Sequence, residues 1–479
     1  MNTRMIARIL GTVLLCLSAL LLLPLLTGII YGERITGFVV TILLSAALGF
    51  GLRMLKPNRT DIYAKEGLVC VGLSWVLMSM LGALPFVISG DIPFYVDAVF
   101  ETCSGFTTTG ASILTNVELM SRSCLFWRCF THWIGGMGVL VFVMAVLPMS
   151  ESHAMHIMRA EVPGPTVGKL VPRAKQTARI LYFIYFAFTV AETILLMLGG
   201  LSFYDALLHA FGTAGTGGFS TRAASVGAFN SAYVEMVIAG FLILYGMNFN
   251  LYYFVLIGKV KEALKSEELH WYIALIVGCT LVVAVGLMKI YGGVATALRH
   301  AFFNVMTIMS TAGFGTQDFT QWPGYIQVIL VLLMLIGACA GSTGGGLKVS
   351  RLILLVKTAA ADVKKVVHPR TVQRVSMDGK RVSTETTHAV YTFFALYMML
   401  LFFCTLIVSL DGYDYTTNFT AALSCISNIG PGLSLVGPTG NFAIFSTLSK
   451  VTLTVTMLVG RLEIYAVLIL FIPSTWQKR

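Results

Sequence analysis

The segment Gly105-Phe106-Thr107-Thr108-Thr109-Gly110 decides the fold, because it returns three times along the chain in altered form. The later copies are Thr213-Ala214-Gly215-Thr216-Gly217-Gly218, Ser310-Thr311-Ala312-Gly313-Phe314-Gly315 and Ser427-Asn428-Ile429-Gly430-Pro431-Gly432. We refer to the four segments as turns 1 to 4. Polar backbone inside a membrane is tolerated only where it is buried in protein or lines water. Four such turns predict four walls around one pore, whose carbonyl oxygens can replace the water shell of an ion.

The composition is that of an integral membrane protein. Of the 479 residues, 57% are hydrophobic and only 11% are charged, and the mean hydropathy is +0.83. Soluble domains carry about 25% charged residues. Long unbroken apolar runs predict transmembrane helices rather than strands. The scattered cysteines form no CxxC motif and no zinc-type spacing, so we expect no metal centre or cofactor built on cysteine.

The apolar runs predict ten membrane-crossing segments, at 9–30, 36–55, 67–89, 126–149, 179–201, 231–257, 270–291, 324–357, 386–410 and 442–472. Each turn follows a shorter semi-apolar stretch of about ten residues, which is too short to cross a bilayer. We expect these stretches to be re-entrant half-helices, and we number each one by the turn that follows it, so that half-helix 1 precedes turn 1. They are predicted at 94–103, 204–212, 294–309 and 415–424.

The predicted fold is an all-α polytopic membrane protein. Four pseudo-symmetric repeats of helix, pore helix, loop and helix surround one central pore, and an N-terminal two-helix hairpin precedes them. The first apolar run is too long for a signal peptide and lacks an A-x-A-like cleavage site, so it is expected to remain uncleaved. The predicted boundaries are 1–60 for the hairpin and 61–155, 175–262, 266–366 and 382–479 for the repeats.

The basic residues indicate the topology. The formal net charge is +11, and most of the 33 Lys and Arg residues fall on alternate loops. Basic loops stay cytoplasmic, so both termini are predicted to be cytoplasmic and no nucleic-acid partner is expected. Acidic residues on the opposite loops would concentrate cations at the outer surface. The longest polar stretch, 358–384, is open to two interpretations, a docking surface for an acidic regulatory protein or a solvated connector.

Four motifs resemble one known family: Thr107–Ala111, the segment Trp127–Pro148, Cys339–Lys348 and Gly460–Glu463. On these residues, and over its whole length, the chain resembles a membrane subunit of the Trk/Ktr/HKT superfamily of potassium transporters, closest to the bacterial Trk type. The resemblance implies potassium uptake across the bacterial inner membrane by a homodimer. It also implies a cytoplasmic nucleotide-binding subunit that gates the pore, with no nucleotide on this chain. Gly341–Lys348 is not a Walker A motif, because Leu347 precedes Lys348 and Val349 follows it.

The resemblance places the filter glycines at Gly110, Gly217, Gly313 and Gly430. In this family, glycine at all four positions goes with potassium, and serine at the first goes with sodium. The preceding residues would present ion-binding carbonyls, namely Thr108, Thr109, Gly215, Thr216, Thr311, Ala312, Asn428 and Ile429. Each half-helix would also point the negative end of its dipole at the centre. The alternative is that glycine and threonine merely allow close helix packing, which four matching turns disfavour.

A second group of residues is implied to form a gate. Residues 338–346 interrupt an apolar span, and each glycine in a helix interior costs about 1 kcal/mol relative to alanine. In the family, this break is an intramembrane loop under the filter that acts as the gate; a passive kink is the alternative. We call residues 338–346 the glycine-rich loop. Its implied gating residues are Gly341, Ser342, Thr343, Gly344, Gly345 and Gly346.

Arg461 lies well inside the last apolar span. A central arginine costs about 2.5–3.5 kcal/mol on insertion scales, so it should face the protein interior or water. The resemblance places it below the filter, where its charge would oppose cation passage. The alternative is a structural ion pair with Glu463 or Glu192. Glu463 is two residues away and lies on a different helix face, which disfavours that pair.

The sequence therefore predicts potassium uptake through a gated four-turn filter. The membrane potential would supply about 2.3 kcal/mol per charge per 100 mV. A secondary cation symporter, coupled to Na⁺ or H⁺ by alternating access, is the alternative, because broken helices near the midplane also suit that mechanism. It would need buried ionisable residues, and these are few beyond Arg461, Glu463 and Glu192. The sequence presents no catalytic constellation, so an enzyme is not expected.

Overall fold

The computed structural model describes residues 1–57, 63–138, 174–370 and 374–476. Over these ranges the chain is an all-α polytopic membrane protein, as predicted. Among the described residues, 6 helices are long and apolar enough to cross a membrane, or up to 7 if one bent pair is a single span. They are Thr3–Ile30, Thr36–Met54, Ala64–Ser89, Ala178–Leu198, Glu267–Tyr291 and Thr384–Asp411, with the pair Ala232–Gly246 and Phe249–Leu256.

Several predicted spans are broken rather than continuous. The span predicted at 231–257 bends by 85° between Gly246 and Phe249. The span predicted at 324–357 consists of Gly324–Ile336 and Val349–Val367, which flank the glycine-rich loop. The last span, predicted at 442–472, is divided into Thr447–Arg461 and Tyr465–Phe471. The span predicted at 126–149 begins as the helix Arg122–Gly136, and its second half lies outside the described residues.

The remaining element bounds complete the chain of helices. Within the first and third spans, the helices divide into Thr3–Leu20 with Leu22–Ile30, and Ala64–Gly82 with Leu84–Ser89. The helix of the fifth span is Ala174–Leu198, and that of the ninth is Thr384–Val408. Further helices are Val260–Leu264 and Pro473–Trp476, and the 3-10 turns are Val117–Leu119, Ser225–Phe229, Phe319–Gln321, Ser409–Asp411, Ser434–Val436 and Phe442–Ile444. Two short antiparallel strands, Ser376–Met377 and Lys380–Arg381, form a hairpin within the polar stretch 358–384.

The N-terminal hairpin packs through small residues. A Cβ atom added at Gly11 would lie 2.6 Å from the carbonyl oxygen of Gly49, and one added at Gly49 would lie 2.8 Å from that of Gly11. The two helix backbones therefore touch at this point. Membrane helices usually gain packing energy through close approach at glycine, because the hydrophobic effect does not drive helices together within lipid.

All four half-helices are present where the sequence predicted them. They span Tyr95–Phe106, Phe203–Gly215, Val294–Met309 and Tyr415–Ser427. At 1.5 Å per residue these lengths are roughly 18–24 Å, which is less than the bilayer core. Ser202 and Asp414 cap the start of half-helices 2 and 4 through their side chains. The last turn of every half-helix is buried, so each one ends inside the protein.

The four repeats close into a ring. Each half-helix contacts the helix before it and the helix after it within its own repeat. The helix after each turn also contacts the half-helix of the next repeat. These contacts join Arg122–Gly136 to half-helix 2, Ala232–Gly246 to half-helix 3, Gly324–Ile336 to half-helix 4 and Thr447–Arg461 to half-helix 1. The last repeat thus meets the first, as a pseudo-fourfold arrangement around one axis requires.

Candidate ion pathway

The four turns share one backbone conformation. The residue after each half-helix, or the second residue after it, is left-handed although it is not glycine: φ is 53° at Thr108, 52° at Thr216, 61° at Thr311 and 55° at Asn428. The next N–H then bonds the carbonyl five residues back, which is the Schellman end of a helix. These bonds are Thr109 to Ser104, Gly217 to Gly212 and Ala312 to Thr307 at 2.8 Å, and Ile429 to Ser424 at 3.0 Å.

This shared backbone corrects the predicted position of turn 2. The residue two after each left-handed position is a glycine with positive φ: 79° at Gly110, 77° at Gly218, 74° at Gly313 and 103° at Gly430. Gly218, rather than the predicted Gly217, is therefore the glycine equivalent to the other three. Gly215 is the last residue of half-helix 2 and precedes the turn proper. The second member of the set is 216–218 instead of 215–217.

The four glycines interlock with their neighbours in a closed ring. A Cβ atom added at Gly110 would lie less than 3.0 Å from the carbonyl oxygen of Gly217 in the next repeat. The same holds for Gly218 against Ala312, for Gly313 against Ile429 and for Gly430 against Thr109. Every repeat thus brings a bare glycine against the middle carbonyl of the following repeat. The four carbonyls of Thr109, Gly217, Ala312 and Ile429 consequently lie around one axis.

A cavity of about 110 Å³ opens directly above this ring. Its floor includes all four of the glycines with positive φ, Gly110, Gly218, Gly313 and Gly430. Arg128 and Arg222 are among its lining residues, and the described lining includes no acidic side chain. The acidic funnel expected from the outer loops therefore does not extend to the cavity floor, and any preference for cations there must come from carbonyl and helix dipoles.

Arg128 is neutralised where it borders the cavity. Its Nε donates to the Glu101 carboxylate at 2.6 Å, and both side chains are buried. Its guanidinium lies 3.4 Å from the ring centroid of Phe219. Glu101 also accepts from the Ile113 backbone N–H and the Ser112 hydroxyl, both at 2.9 Å. One carboxylate thus balances the arginine and fixes the chain that leaves turn 1.

Further side chains hold the turns from behind. The Asn428 amide donates to the Thr109 hydroxyl at 2.9 Å and to the Met457 carbonyl at 3.0 Å, which ties turn 4 to turn 1. The His132 ring is buried, its Nδ1 lies 2.7 Å from the Gly105 carbonyl, and it stacks on Phe219 at 4.1 Å between centroids. A Cβ atom at Gly217 would meet this ring at 2.6 Å. His132 therefore fills the space behind turn 2.

The glycine-rich loop lies against turns 3 and 4 on the side opposite the cavity. A Cβ atom at Gly344 would lie 2.8 Å from the Ser310 carbonyl, and one at Gly345 would also collide with the Ser427 carbonyl. The Gly345 N–H donates to the Thr311 hydroxyl at 2.7 Å. Only residues without side chains fit this close to the ends of two half-helices. The loop therefore crosses the path just below the ring.

Not every predicted gating residue lies at the turns. Gly344 and Gly345 do. Thr343 instead bonds the Tyr245 carbonyl through its hydroxyl at 3.3 Å, and the Gly341 carbonyl accepts the Phe249 N–H at 3.1 Å at the bend of the sixth predicted span. The Ser342 hydroxyl bonds the Cys339 carbonyl at 2.6 Å within the loop. Gly346 packs on Gly337, where a Cβ atom would lie 2.9 Å from its Cα, and closes the base of the loop.

Arg461 spans the space under the ring and bonds carbonyls of two other repeats. Its guanidinium donates to the Thr343 carbonyl at 2.6 Å, to Gly135 at 2.6 Å and to Gly136 at 2.8 Å. It thereby links the last repeat to the glycine-rich loop and to repeat 1. Glu463, one of the two partners considered for it, pairs instead with Arg351.

No feature of the sequence predicted the break that follows Arg461. The helix ends there and restarts at Tyr465, and both Glu463 and Ile464 are left-handed, with φ of 57° and 66°. Positive φ is a genuine outlier for a β-branched residue such as isoleucine. No proline or glycine marks these positions, and Gly460 is the nearest residue that could have raised the question.

The fold and the ring of turns define a class: polytopic α-helical transport proteins in which four repeats close around one axis. The comparisons with known proteins agree with this class. The profile of the TrkH family, described as cation transport protein, matches residues 33–478. The chain therefore belongs to the TrkH family, which consists of transporters rather than enzymes.

Relatives match the chain from end to end. The Trk system potassium uptake protein TrkH of Salmonella typhimurium is 37% identical over 488 residues, with 100% of both chains covered. The Trk system potassium uptake protein TrkG of Escherichia coli K12 is 31% identical over 491 residues, again with full coverage of both. The crystal structure of the potassium transporter TrkH from Vibrio parahaemolyticus superposes with a TM-score of 0.90 at 33% identity, covering 100% of each chain.

Proposed function

We propose that this chain takes up potassium across the bacterial inner membrane through a filter made by its four turns. One observation carries the proposal: each filter glycine abuts a carbonyl of the next repeat, and the fourth repeat meets the first. Such a ring presents carbonyl oxygens to a dehydrated monovalent cation. The relatives named as potassium uptake proteins support potassium as that cation.

The proposed ion-binding residues follow the shared backbone of the turns. The middle carbonyls of Thr109, Gly217, Ala312 and Ile429 form the central layer. The left-handed residues lie one position deeper and the glycines one position nearer the cavity. These two outer layers are Thr108, Thr216, Thr311 and Asn428, and Gly110, Gly218, Gly313 and Gly430. The dipoles of four half-helices add partial negative charge beneath them.

The proposed gate is the glycine-rich loop together with Arg461. The loop lies against the ends of half-helices 3 and 4, and Arg461 of the neighbouring repeat 4 bonds Thr343 of that loop. A fixed positive charge at this depth opposes cation entry while it stays in place. In this proposal, opening withdraws the loop and breaks the hydrogen bond between Arg461 and Thr343.

The assembly is proposed on the family resemblance. It consists of a homodimer with both termini in the cytoplasm, gated by a cytoplasmic nucleotide-binding subunit. The basic residues of 358–384 would face that subunit, because basic loops stay cytoplasmic. The proposal assigns no nucleotide to this chain. A symporter that needs a Na⁺ or H⁺ gradient is the competing mechanism from the sequence, and no particular contact in the described residues favours it.

Radioactive rubidium uptake into proteoliposomes tests the proposal. Purified protein is reconstituted alone, and uptake is measured while the membrane potential is set in steps at fixed pH and sodium. We expect uptake that grows with an inside-negative potential, that excess K⁺ inhibits, and that Na⁺ inhibits far less. Uptake that requires a proton or sodium gradient at fixed potential would support the symporter. Equal inhibition by K⁺ and Na⁺ would refute the proposed filter.

A further inference from the structure

Glu268 bonds both ends of the glycine-rich loop from a different helix. It lies in the first turn of the helix Glu267–Tyr291, and its side chain is 5% exposed. Its Oε1 accepts the Ala340 N–H at 2.7 Å and the Ser350 N–H at 3.1 Å. Ala340 lies near the start of the loop, and Ser350 lies in the first turn of the helix that follows it. One carboxylate oxygen thus joins the entry and the exit of the loop.

These two N–H groups need an acceptor that the broken helix cannot supply. Buried backbone groups at membrane depth must be satisfied within the protein. The first N–H groups of a helix have no partner in their own helix, and a negative charge near them is favourable. The Glu268 carboxylate places that charge at the start of the helix Val349–Val367, and the same oxygen accepts the Ala340 N–H of the loop. Hydrogen bonds to a charged acceptor are roughly twice as strong as those between neutral groups.

A buried positive charge lies just after the loop, at Lys348. Lys348 is 1% exposed, and its ammonium group donates to the Gly344 carbonyl. Lys348 has φ of 81°, so the backbone turns sharply between the loop and Ser350. A buried ammonium group is costly unless an opposite charge lies nearby. Two carboxylates provide opposite charge near Lys348: Glu463 acts on it more strongly, and Glu268, bonded to Ser350 two residues along the chain, acts on it as well.

We infer that Glu268 is a positioning residue that holds the glycine-rich loop closed beneath the four turns. The inference rests on the proposed function, in which that loop is the gate. Gly344 and Gly345 can leave the turns only if one or both ends of the loop move. Oε1 of Glu268 accepts one hydrogen bond near each end of the loop, so opening must stretch or break these two bonds. Removing the carboxylate therefore favours the open loop and leaves the turns untouched.

Three variants test this role, and all are assayed without the regulatory subunit. In Glu268→Ala, both bonds are lost, and basal rubidium uptake should rise about tenfold or more, the factor that corresponds to one hydrogen bond to a charged group. In Glu268→Gln, a neutral oxygen remains, and a smaller rise of roughly threefold is expected. Glu267→Gln is the matched control, because that neighbour pairs with Lys357 at 2.5 Å instead of the loop. Its uptake should equal that of the wild type.

Two further measurements separate a positioning role from general damage. Hydrogen exchange should quicken in peptides that cover 338–350 in both Glu268 variants, while peptides of half-helix 1 keep their protection. The preference for rubidium over sodium should stay at the wild-type value. Because the loss of Glu268 also removes one of the two carboxylates that act on Lys348, the rise in uptake is measured again in a Lys348→Met background. In that background, Glu268→Ala should still exceed Lys348→Met alone.

The outcomes distinguish this inference from the proposed function. If the wild type conducts rubidium selectively but both Glu268 variants match it in uptake and in exchange, the inference is overturned and the filter stands. Reduced uptake with unchanged exchange at 338–350 overturns it as well. If Glu268→Ala does not fold, the two measurements on Glu268→Gln decide alone. If the wild type shows no selective uptake, the proposed function itself fails.

Discussion

Replacing Gly218 by alanine tests the ring of turns at the position where structure and sequence disagree. Gly218 has φ of 77°, and a Cβ atom there would lie less than 3.0 Å from the Ala312 carbonyl oxygen, where ordinary contacts begin at 3.4 Å. The neighbour is backbone of the next repeat, which cannot rotate away as a side chain can. We expect Gly218→Ala to fold and to displace one carbonyl of the central layer.

The size of the effect follows from two terms. The left-handed conformation costs a residue with a Cβ atom roughly 1–2 kcal/mol. The collision adds to this cost, because the Ala312 carbonyl must give way. If the conformational cost alone weakens ion binding in the filter, conduction falls by about 5- to 30-fold. The shifted carbonyl also unbalances the layer, so the preference for rubidium over sodium should fall with the rate.

The assay is rubidium uptake into proteoliposomes, with and without competing sodium. Gly278→Ala is the control, because that glycine lies within the helix Glu267–Tyr291 and its added Cβ would meet no atom within 4 Å. It should leave uptake unchanged and stabilise the helix by about 0.5–1 kcal/mol. Gly217→Ala should have a milder effect, because Gly217 does not have positive φ and its added Cβ would meet the His132 side chain, at 2.6 Å, instead of the backbone of the next repeat. Wild-type selectivity in Gly218→Ala, with selectivity lost in Gly217→Ala, would refute the revised position of turn 2.

Three other changes have definite expected results. Arg461→Ala removes the hydrogen bonds to the glycine-rich loop and a positive charge below the ring, so basal rubidium uptake should rise; unchanged uptake by a folded variant contradicts the gating role. Glu101→Gln leaves the charge of Arg128 unpaired at the cavity, so rubidium uptake should fall, and it should fall more at low than at high ionic strength. A decrease in uptake that is the same at both ionic strengths would contradict an electrostatic cause. Asp414→Ala removes the cap of half-helix 4 and should cost about 1 kcal/mol of unfolding free energy at neutral pH. Hydrogen bonds from Thr417 hold the pKa of Asp414 below its ordinary 3.8, so the stabilisation by Asp414 is complete above pH 3.8 and is lost as the pH falls through the lowered pKa. In thermal unfolding in detergent, the melting temperatures of wild type and variant should therefore converge in acid. A difference in melting temperature that persists in acid would contradict this prediction.

The sequence was sufficient for the parts of the fold that depend on local pattern. All four half-helices lie where short semi-apolar stretches precede the turns, because length and hydropathy alone distinguish them from full spans. Turn 2 was predicted one residue early because Gly215, Gly217 and Gly218 all offer a glycine. The better guide was the left-handed residue, since Thr216 matches Thr108 and a glycine follows each after one intervening residue.

Contacts between distant segments could not be predicted in this way. The pair of Arg351 with Glu463 joins residues 112 apart, and no periodic pattern relates them. The bend after Gly246 and the break after Arg461 lie within stretches that hydropathy alone predicts as continuous spans, although Asn248 lies at the bend and Glu463 lies in the break. Glu268 gave no signal either, because an acidic residue in the first turn of a helix is common for electrostatic reasons alone. Its role depends on which loop folds back against it.

In the proposed mechanism, the interrupted helices make the gate move as one unit. In repeats 2, 3 and 4 the helix after the turn breaks, and the freed backbone groups are satisfied across the breaks. The N–H of Cys339 bonds the Gly246 carbonyl at 3.0 Å, and the N–H of Phe249 bonds the Gly341 carbonyl at 3.1 Å. Arg461, at the third break, bonds the Thr343 carbonyl. Because an unsatisfied group at this depth costs several kcal/mol, the loop cannot withdraw while the other two breaks stay fixed. Opening must rearrange all three together, and a change at the bend near Gly246 should therefore alter gating without touching the ring of carbonyls.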